Sequence, residues 1–562
     1  MPLESLPPEL FYLIFLQLSF QDQWQCSLVC KNWRYILLQW PHLWTCISTV
    51  NFKTHDLREA LSPFKDVIKQ QYIRRVQLIV QDGSHLKSPI NFLIEQGCTS
   101  IVEVDISIPC IEPSVYLNLV ELSASSLTHL YFTCSLFAKS YKPLPEEIIQ
   151  SFPNLKVFHY RGSVYKIRSW EPSMPVDFKH KHLTELGLYI QNNMDGTFAA
   201  KNILTVMPNL RRLYIDIQNV ARRADLFIKT LNKHCHQLKG LVLKSFEHST
   251  TYFLDDDDEE DTTKRTYMTS QNSTRLEHLV VHIPYLGFHQ IHTTRILRML
   301  LVQHHQTLHI ININGHSTIS GNHCINQLVP FEFPTMQHLT IHNNRTPNTK
   351  YLWREFLPGI EGLPRFFAQS LSTEKLVSFN LSGLHYTFDL SPLAIGAKNL
   401  QELHLVDCTR ISTLSLTKFF DNLYISADAP ILKKVTLVRI PTVTVQMLVS
   451  MVLVLRSCLQ ELVIDGCKQV SRDDIVWFLD HAVAQHHFSS AKLRKLKIDI
   501  HYIDNGHFAN DDLHNQILEK LDLLSEKWQL ILPHPNNNLF FANDGYDDQH
   551  IKIYSSTNYI KE

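Results

Sequence analysis

Glycine is scarce in this sequence, with 16 glycines among 562 residues. Loops that bind phosphate depend on glycine, because their backbone must approach the phosphate closely. The sequence contains no G-x-x-x-x-G-K-S/T or G-x-G-x-x-G pattern, and it also contains no G-x-S-x-G or H-E-x-x-H pattern. These absences do not by themselves exclude an enzyme. Because most of the chain is a long array of repeats behind a short docking segment, we expect a protein that is not an enzyme and that needs no cofactor.

Long apolar runs are also missing. The longest predominantly apolar run, Met447–Leu455, has nine residues, whereas a membrane-spanning helix needs about 20. Glu4 and two prolines stand where a secretion signal would have a basic and then an apolar run, so we expect no signal peptide. The 53 Lys and Arg residues nearly balance the 54 Asp and Glu residues. This balance predicts no general attraction to nucleic acid or to a membrane, and we expect a cytoplasmic and/or nuclear protein.

The eleven cysteines are scattered without paired spacing. This pattern indicates free thiols in a reducing compartment and no zinc finger. Two histidine pairs, His278 with His282 and His338 with His342, lie four residues apart on predicted strands. That distance is too long for one zinc ion, and no carboxylate or thiolate accompanies the pairs in sequence. We therefore expect no metal site.

Most of the chain is built from a repeated L-x-x-L-x-L pattern, in which other apolar residues replace some leucines. Fifteen copies occur, with an average spacing of 30 residues. The copies begin at Ile73, Ile101, Leu127, Leu155, Leu183, Leu210, Leu238, Leu276, Leu308, Met336, Leu376, Leu400, Leu432, Leu459 and Leu493. This signature is typical of leucine-rich repeats, in which each unit supplies one strand and then a helix or loop.

The first 44 residues are unusually rich in apolar anchors. Leu10, Ile14 and Leu18 recur at helical spacing after two prolines, and Cys26 to Ile36 repeats the spacing after a polar break. The second set of residues predicts one helix from Cys26 to Ile36, and the whole segment predicts two or three short helices. Because about 40 residues bury little surface alone, such helices need a partner or a larger domain. We interpret the segment as a docking module, and a helical cap on the repeats is the alternative.

The order of Leu6-Pro7-Pro8-Glu9-Leu10, Val29-Cys30-Lys31-Asn32-Trp33-Arg34 and Pro41-His42-Leu43-Trp44 resembles the F-box of Skp–cullin–F-box ubiquitin ligases. Asp22-Gln23-Trp24-Gln25 departs from the leucine-rich entry to the second helix that is usual in the family. Two segments, Leu405–Ser412 and Ile464–Ser471, also resemble the cysteine-containing repeats of F-box leucine-rich-repeat proteins. There we expect Cys408 and Cys467 to pack as small apolar side chains.

The resemblance implies an α/β protein in which a small helical F-box precedes a leucine-rich-repeat solenoid, with a parallel sheet on the concave side and helices on the convex side. It implies a substrate receptor that binds a Skp-type adaptor, reaches a cullin through that adaptor, and holds an unknown protein substrate. Two alternatives remain, a pure interaction scaffold and an F-box protein without a role in degradation. The adaptor-binding residues that the resemblance implies are Leu6, Pro7, Leu10, Ile14, Val29, Cys30 and Trp33.

The residues between the repeat leucines point to the concave side, because side chains alternate along a strand. Tyr and Arg are frequent at binding hot spots, and several fall on adjacent repeats here. The predicted substrate-binding residues are Tyr131, His159, Arg161, Tyr189, Arg212, Tyr214 and Asp216.

The predicted domain boundaries follow from these patterns. The F-box spans 1–45, a linker or cap spans 46–72, the solenoid spans 73–532, and a C-terminal tail spans 533–562. The wider repeat spacing predicts insertions near 248–272 and 344–366. The first insertion contains seven consecutive acidic residues, Asp255 to Asp261, which should remain solvated.

Overall fold

A computed structural model describes the parts of the chain in which the F-box and the repeats lie. The described residues are 6–40, 43, 45–48, 72–79, 87–108, 111–134, 143–163, 177–191, 196–216, 220, 224–244, 275–283, 287–315, 327–343, 362–368, 370–384, 387–426, 431–455, 457–467, 469–470, 474, 476–480 and 495–499. The predicted tail, the acidic run and most of both predicted insertions lie outside them. The chain divides into two compact units, Met1–Gly383 and Leu384–Glu562.

The first unit contains a parallel sheet whose strands follow one another in chain order. Its strands are β1 (Cys46–Ser48), β2 (Arg75–Ile79), β3 (Glu103–Ile108), β4 (His129–Cys134), β5 (Val157–Ser163), β6 (Glu185–Gln191), β7 (Arg212–Asp216), β8 (Gly240–Lys244), β9 (His278–Ile283), β10 (Ile310–Gly315), β11 (His338–Asn343) and β12 (Ser378–Ser382). The second unit has four parallel strands, β13 (Glu402–Val406), β14 (Lys434–Val438), β15 (Glu461–Asp465) and β16 (Lys495–Asp499).

The prediction of a leucine-rich-repeat solenoid is confirmed. Strands β2 to β16 each begin two residues after the start of one of the fifteen repeats. β1, which lies in the stretch expected to be a linker or cap, is a strand that the repeat pattern does not predict. It pairs with β2, since Ile47 lies opposite Val76 and both are buried.

Three of the described helices precede β1, and the others lie between the strands in the chain. In the first unit they are α1 (Pro8–Leu16), α2 (Phe20–Val29), α3 (Lys31–Gln39), α4 (Lys87–Glu95), α5 (Pro113–Ser123), α6 (Pro145–Ser151), α7 (Gly196–Thr205), α8 (Ala224–His234), α9 (Gly287–His304), α10 (Gly362–Phe367) and α11 (Ser370–Thr373). In the second unit they are α12 (Ser391–Gly396), α13 (Thr413–Ser426) and α14 (Val445–Leu455). α5 and α6 begin at prolines, which suit the first turn because its N–H groups have no partner within the helix.

The core is a set of apolar ladders that run across the strands. One ladder joins Val104, Leu130, Phe158, Leu186 and Leu213, which lie opposite one another on neighbouring strands and are at most 1% exposed. The alternate positions of the same strands are half-exposed, as the burial patterns of β3 and β4 show. We call this half-exposed side of the sheet the open face; it is the side that the repeat pattern predicts to be concave.

In the second unit, the residue that follows each of β13, β14 and β15 has a positive φ. These residues are Asp407 (φ 53°), Arg439 (φ 51°) and Gly466 (φ 60°). The turn directs the Asp407 N–H to the Val438 carbonyl at 2.9 Å and the Arg439 N–H to the Asp465 carbonyl at 2.7 Å. The backbone hydrogen bonds between repeats therefore continue beyond the strands. The Arg439 guanidinium also binds the Asp407 carboxylate through Nε and Nη2.

Gly466→Ala should lower the free energy of unfolding by about 1–2 kcal/mol, because a residue with a side chain is strained at positive φ. A Cβ at Gly466 would also lie 2.9 Å from Cγ of Arg439. Chemical denaturation of the full chain would measure the change. Gly240→Ala is the matched control, because its Cβ would meet its nearest atom, Cγ of Arg212, at an ordinary 3.6 Å. Equal stability of both variants would contradict this account of the turn.

The described cysteines are free thiols. Cys408 and Cys467 are 0% and 6% exposed and follow the turns after β13 and β15. Burial raises the pKa of the Cys408 thiol to about 12 and that of Cys467 to about 11. Both therefore stay protonated at neutral pH and pack as small apolar groups, as the sequence predicts. In the part of the chain that the structure describes, no helix is long and apolar enough to cross a membrane.

Candidate protein-docking surfaces

The N-terminal helices α1, α2 and α3 share a small aromatic core. Phe11 and Phe15, one turn apart on α1, are each 2% exposed. Their ring centroids lie 5.9 and 5.6 Å from that of Trp33 on α3, in edge-on arrangements that favour aromatic packing. α2 packs in turn against β1, so the helical module is continuous with the first strand of the sheet.

The sequence predicts a polar break around residues 19–23, but the structure places most of this stretch in the first turn of α2. The Ser19 hydroxyl accepts a hydrogen bond from the Asp22 N–H at 3.2 Å and caps the helix. Gln23 is 4% exposed, and its Nε2 donates to the carbonyls of Phe15 at 2.8 Å and Leu18 at 3.3 Å. The departure from the family pattern at Gln23 thus has a local role, because its amide satisfies carbonyls at the end of α1.

The predicted helix from Cys26 to Ile36 is wrong as a single element. Cys30 adopts an extended conformation (φ −154°, ψ 163°) that ends α2 and begins α3. Its Sγ accepts a hydrogen bond from the Trp33 N–H at 3.4 Å. The apolar spacing is preserved across the break because both helices pack on the same core, and spacing alone therefore cannot reveal the break.

The outer side of this module carries large apolar side chains. Leu10 is 44% exposed, Ile14 is 43% exposed and Val29 is 65% exposed. Of the other predicted adaptor-binding residues, Pro7 is exposed, whereas Leu6, Cys30 and Trp33 are half-buried. The sequence interpretation missed further exposed apolar residues: Leu13, Leu16, Leu28, Tyr35 and Leu38. Exposed apolar side chains at this density make the outer side of the module a candidate interaction surface.

On the open face of the first unit, three aromatic side chains form a row across β4 to β7. Tyr131, His159 and Tyr214 occupy the same register position, with Gly187 between the last two. The ring centroid of His159 lies 5.3 Å from that of Tyr131 and 5.1 Å from that of Tyr214. We call Tyr131, His159 and Tyr214 the aromatic row.

Gly187 lies between His159 and Tyr214 and allows their rings to contact each other. A Cβ at this position would lie 2.7 Å from Nδ1 and 2.8 Å from Cγ of His159. Real Cβ atoms do not approach this closely, so the imidazole can lean toward Tyr214 only because residue 187 has no side chain. Gly187 was not among the predicted binding residues, since a missing side chain gives no signal in a search for side chains that bind.

One carboxylate holds the row in place from β6. Oε1 of Glu185 lies 3.1 Å from Nε2 of His159, and its Oε2 lies 3.6 Å from Nη1 of Arg212. Burial would raise the pKa of Glu185, but the hydrogen bond and charge of His159 and the charge of Arg212 outweigh burial and hold it below its usual value. Glu185 therefore stays ionised. It follows the same alternation as the other open-face residues, so the strand pattern contains the signal that would have identified it.

The remaining predicted substrate-binding residues lie around this row. Tyr189 is half-buried, with its ring centroid 6.4 Å from that of His159. Arg161 lies opposite Tyr189 on the neighbouring strand. Asp216 is 3% exposed at the end of β7, and its charge contributes to the raised pKa of Tyr189, of which burial is the main cause. Asp216 is thus placed beside the tyrosines and is the least accessible of the set.

The histidine pairs lie on the open face of β9 and β11, where the sequence places them. The Asn314 amide on β10 donates to Nε2 of His282 at 3.3 Å. Among the described residues, no group of three or more His, Cys, Asp or Glu side chains is arranged to hold a metal ion.

Comparison with known proteins gives one family match: residues 3–41 match the F-box domain. No curated protein matches the chain. Among solved structures, a chain of the TLR13–ssRNA13 complex aligns with a TM-score of 0.34 at 14% identity, over 85% of this chain and 47% of that chain. This chain thus spans about half the length of that relative. A chain of the Rad7 and Elc1 complex in yeast aligns with a TM-score of 0.32 at 13% identity, over 90% of this chain and 91% of that chain. The protein therefore carries an F-box domain at residues 3–41, followed by a parallel-sheet solenoid of the leucine-rich-repeat type.

Proposed function

We propose that this protein is a substrate receptor of a Skp–cullin–F-box ubiquitin ligase. The observation that carries the proposal is the F-box match at residues 3–41, together with the exposure of apolar residues on the same segment. Leu10, Ile14 and Val29 are each more than 40% exposed, and burial of such side chains drives the association of proteins. In this proposal they bind a Skp-type adaptor, which links the chain to a cullin.

The solenoid holds a target protein in the same assembly. Its open face presents an extended polar and aromatic surface of the kind that repeat proteins use for binding. The chain contributes no chemical group to ubiquitin transfer. It raises the rate by holding a target lysine at high effective concentration near the charged ubiquitin-conjugating enzyme. We place the boundary between the docking and recognition parts near residue 45, where β1 begins.

Co-expression of the full chain with a Skp-type adaptor and a cullin tests this function. We expect the adaptor to co-elute with the chain in size-exclusion chromatography and the cullin to be retained only when the adaptor is present. A chain that elutes without the adaptor would instead be an interaction scaffold whose N-terminal helices cap the sheet. A complex with the adaptor that never retains a cullin would indicate an F-box protein without a role in degradation.

A further inference from the structure

The aromatic row presents a nearly continuous line of ring edges and faces on the open face of the first unit. Tyr131 and Tyr214 are half-buried, and the side chain of His159 is 16% exposed. Together with Tyr189 they place four rings within about three strand spacings of one another, roughly 15 Å. Aromatic side chains concentrated in this way on a repeat surface are typical of a binding hot spot.

Carboxylates surround this row. Asp105 lies opposite Tyr131 on the neighbouring strand, and Glu103 lies two residues before Asp105 on the same side of β3. Glu185 contacts His159 from β6. Burial is the main reason that the pKa of Tyr131 rises to about 12; the charges of Glu103, Glu185 and Asp105 contribute to this rise, and the charge of Arg75 opposes it. Three carboxylates and one guanidinium therefore act on the Tyr131 hydroxyl.

Two of the protein's own nearby guanidinium groups are held by these carboxylates, and a third arginine, Arg161, lies on β5 opposite Tyr189. Nε of Arg75 lies 3.1 Å from Oε1 of Glu103, and Nη1 of Arg212 lies 3.6 Å from Oε2 of Glu185. The rings of the aromatic row pack against one another, and the structure shows no guanidinium stacked on them among its described aromatic contacts. An incoming cation would therefore meet ring faces and carboxylates without displacing a stacked protein cation.

We propose that the aromatic row binds an arginine or lysine side chain of the target protein. The ring faces attract the cation through their negative quadrupole, and Glu185 accepts its N–H groups at the edge of the row. Arginine suits this site better than lysine, because its planar guanidinium can stack on rings and hydrogen-bond to a carboxylate at the same time. An acidic or phosphorylated side chain would face like charges from Glu103, Asp105 and Glu185. The inference rests on the proposed function only in taking the ligand to be a protein.

Fluorescein-labelled peptides test the charge preference directly. Three probes share one Gly-Ser sequence and carry at their centre three arginines, three citrullines or three phosphoserines. Citrulline keeps the shape of arginine but lacks its charge. We expect fluorescence anisotropy with the full chain to show at least fivefold tighter binding of the arginine probe than of the citrulline probe, and no binding of the phosphoserine probe. Equal binding of the arginine and citrulline probes, or tighter binding of the phosphoserine probe, would overturn the inference.

Variants then map the binding to the aromatic row. Tyr214→Leu should weaken the arginine probe by about two- to thirtyfold, the range of a lost cation–π contact, whereas Tyr214→Phe keeps the ring and should bind normally. Gly187→Ala should also weaken binding, because its Cβ displaces His159, whereas Gly240→Ala, whose nearest neighbour would lie at 3.6 Å, should not. Unchanged affinity in both Tyr214→Leu and Gly187→Ala would refute the site. Co-elution of each variant with the adaptor tests the F-box separately. The cation site and the proposed receptor function can therefore fail independently of each other.

Discussion

Leu10→Asp with Ile14→Asp should abolish co-elution of the Skp-type adaptor with the full chain. Both side chains lie on α1 and are 44% and 43% exposed. Aspartate at these positions would put unpaired charge into a buried apolar interface, which the interface cannot tolerate. Two hot-spot side chains together contribute about 4 kcal/mol or more, so the affinity should fall by about 1,000-fold. Isothermal titration with purified adaptor measures this loss.

The same double variant should remain folded, because the core of the module is formed by Phe11, Phe15 and Trp33 rather than by Leu10 and Ile14. The melting temperature should therefore change little. Leu117→Asp is the matched control: Leu117 is 64% exposed on α5 of the solenoid, and its replacement should leave adaptor binding intact. Leu6→Ala with Pro7→Ala tests the entry to α1 in the same assay. Adaptor binding that survives both double variants would refute the F-box interface.

Glu146→Gln should stabilise the protein at pH 8 by about 2–4 kcal/mol, an amount that corresponds to the large rise in the pKa of this residue. Glu146 lies in the first turn of α6 and is 3% exposed, and no other residue donates a hydrogen bond to either oxygen of its carboxylate. Burial is the main reason that its pKa rises to about 7; its own backbone N–H opposes the rise and the charge of Glu147 adds to it. The folded state therefore holds a proton that the unfolded chain releases.

The sign of the pH dependence follows from that proton. Between about pH 4.5 and pH 7 the folded state binds more protons at Glu146 than the unfolded state does, so the free energy of unfolding falls as the pH rises. Above about pH 7 the Glu146 carboxylate is charged and buried in the folded state, and the free energy of unfolding is lowered by the full cost of burying that charge. Glutamine stays neutral at every pH. The gain in free energy of unfolding of Glu146→Gln over the original protein should therefore be absent near pH 4 and complete at pH 8. Denaturant titrations at both pH values measure it.

Glu147 provides the control for this experiment. Its carboxylate accepts a hydrogen bond from the Leu144 N–H at 3.0 Å at the beginning of α6, and Glu147→Gln keeps an acceptor oxygen for that N–H. The gain at pH 8 should therefore be specific to Glu146→Gln. If Glu146→Gln is no more stable than the original protein at pH 8, the carboxylate is not buried as an isolated charge.

Strands β2 to β16 were predictable because their signal is local and is repeated fifteen times. Each repeat must bury its own apolar side chains against the neighbouring repeats, so the alternation of buried and half-exposed positions is present in the six residues of β3 and in the five of β14. β1 was missed because Cys46–Ser48 is only three residues long, which is too short to show a period. The break at Cys30 was missed because the apolar spacing runs through it.

The proposed binding surfaces were also predictable only in part. Alternation along the strands placed Tyr131, His159 and Tyr214 on one face of the sheet, and the F-box resemblance identified Leu10, Ile14 and Val29. The contacts within the aromatic row could not be predicted, because they depend on which residues of different strands share a register position and on the space left by Gly187. The C-terminal tail and most of both insertions stay predictions, since they lie outside the described residues.

The sequence by itself determined the class of the fold, the number of repeats and which residues of each repeat strand face the core. These features follow from patterns within single repeats. Only the tertiary structure decided that Glu185 joins His159 to Arg212, that Gly187 leaves room for an imidazole, and that Glu146 is buried without a hydrogen bond from another residue. The physical reason is that hydrogen bonds, close approach and desolvation join residues from different repeats. Side chains about 26 residues apart in the sequence, such as His159 and Glu185, meet only when the solenoid stacks its strands.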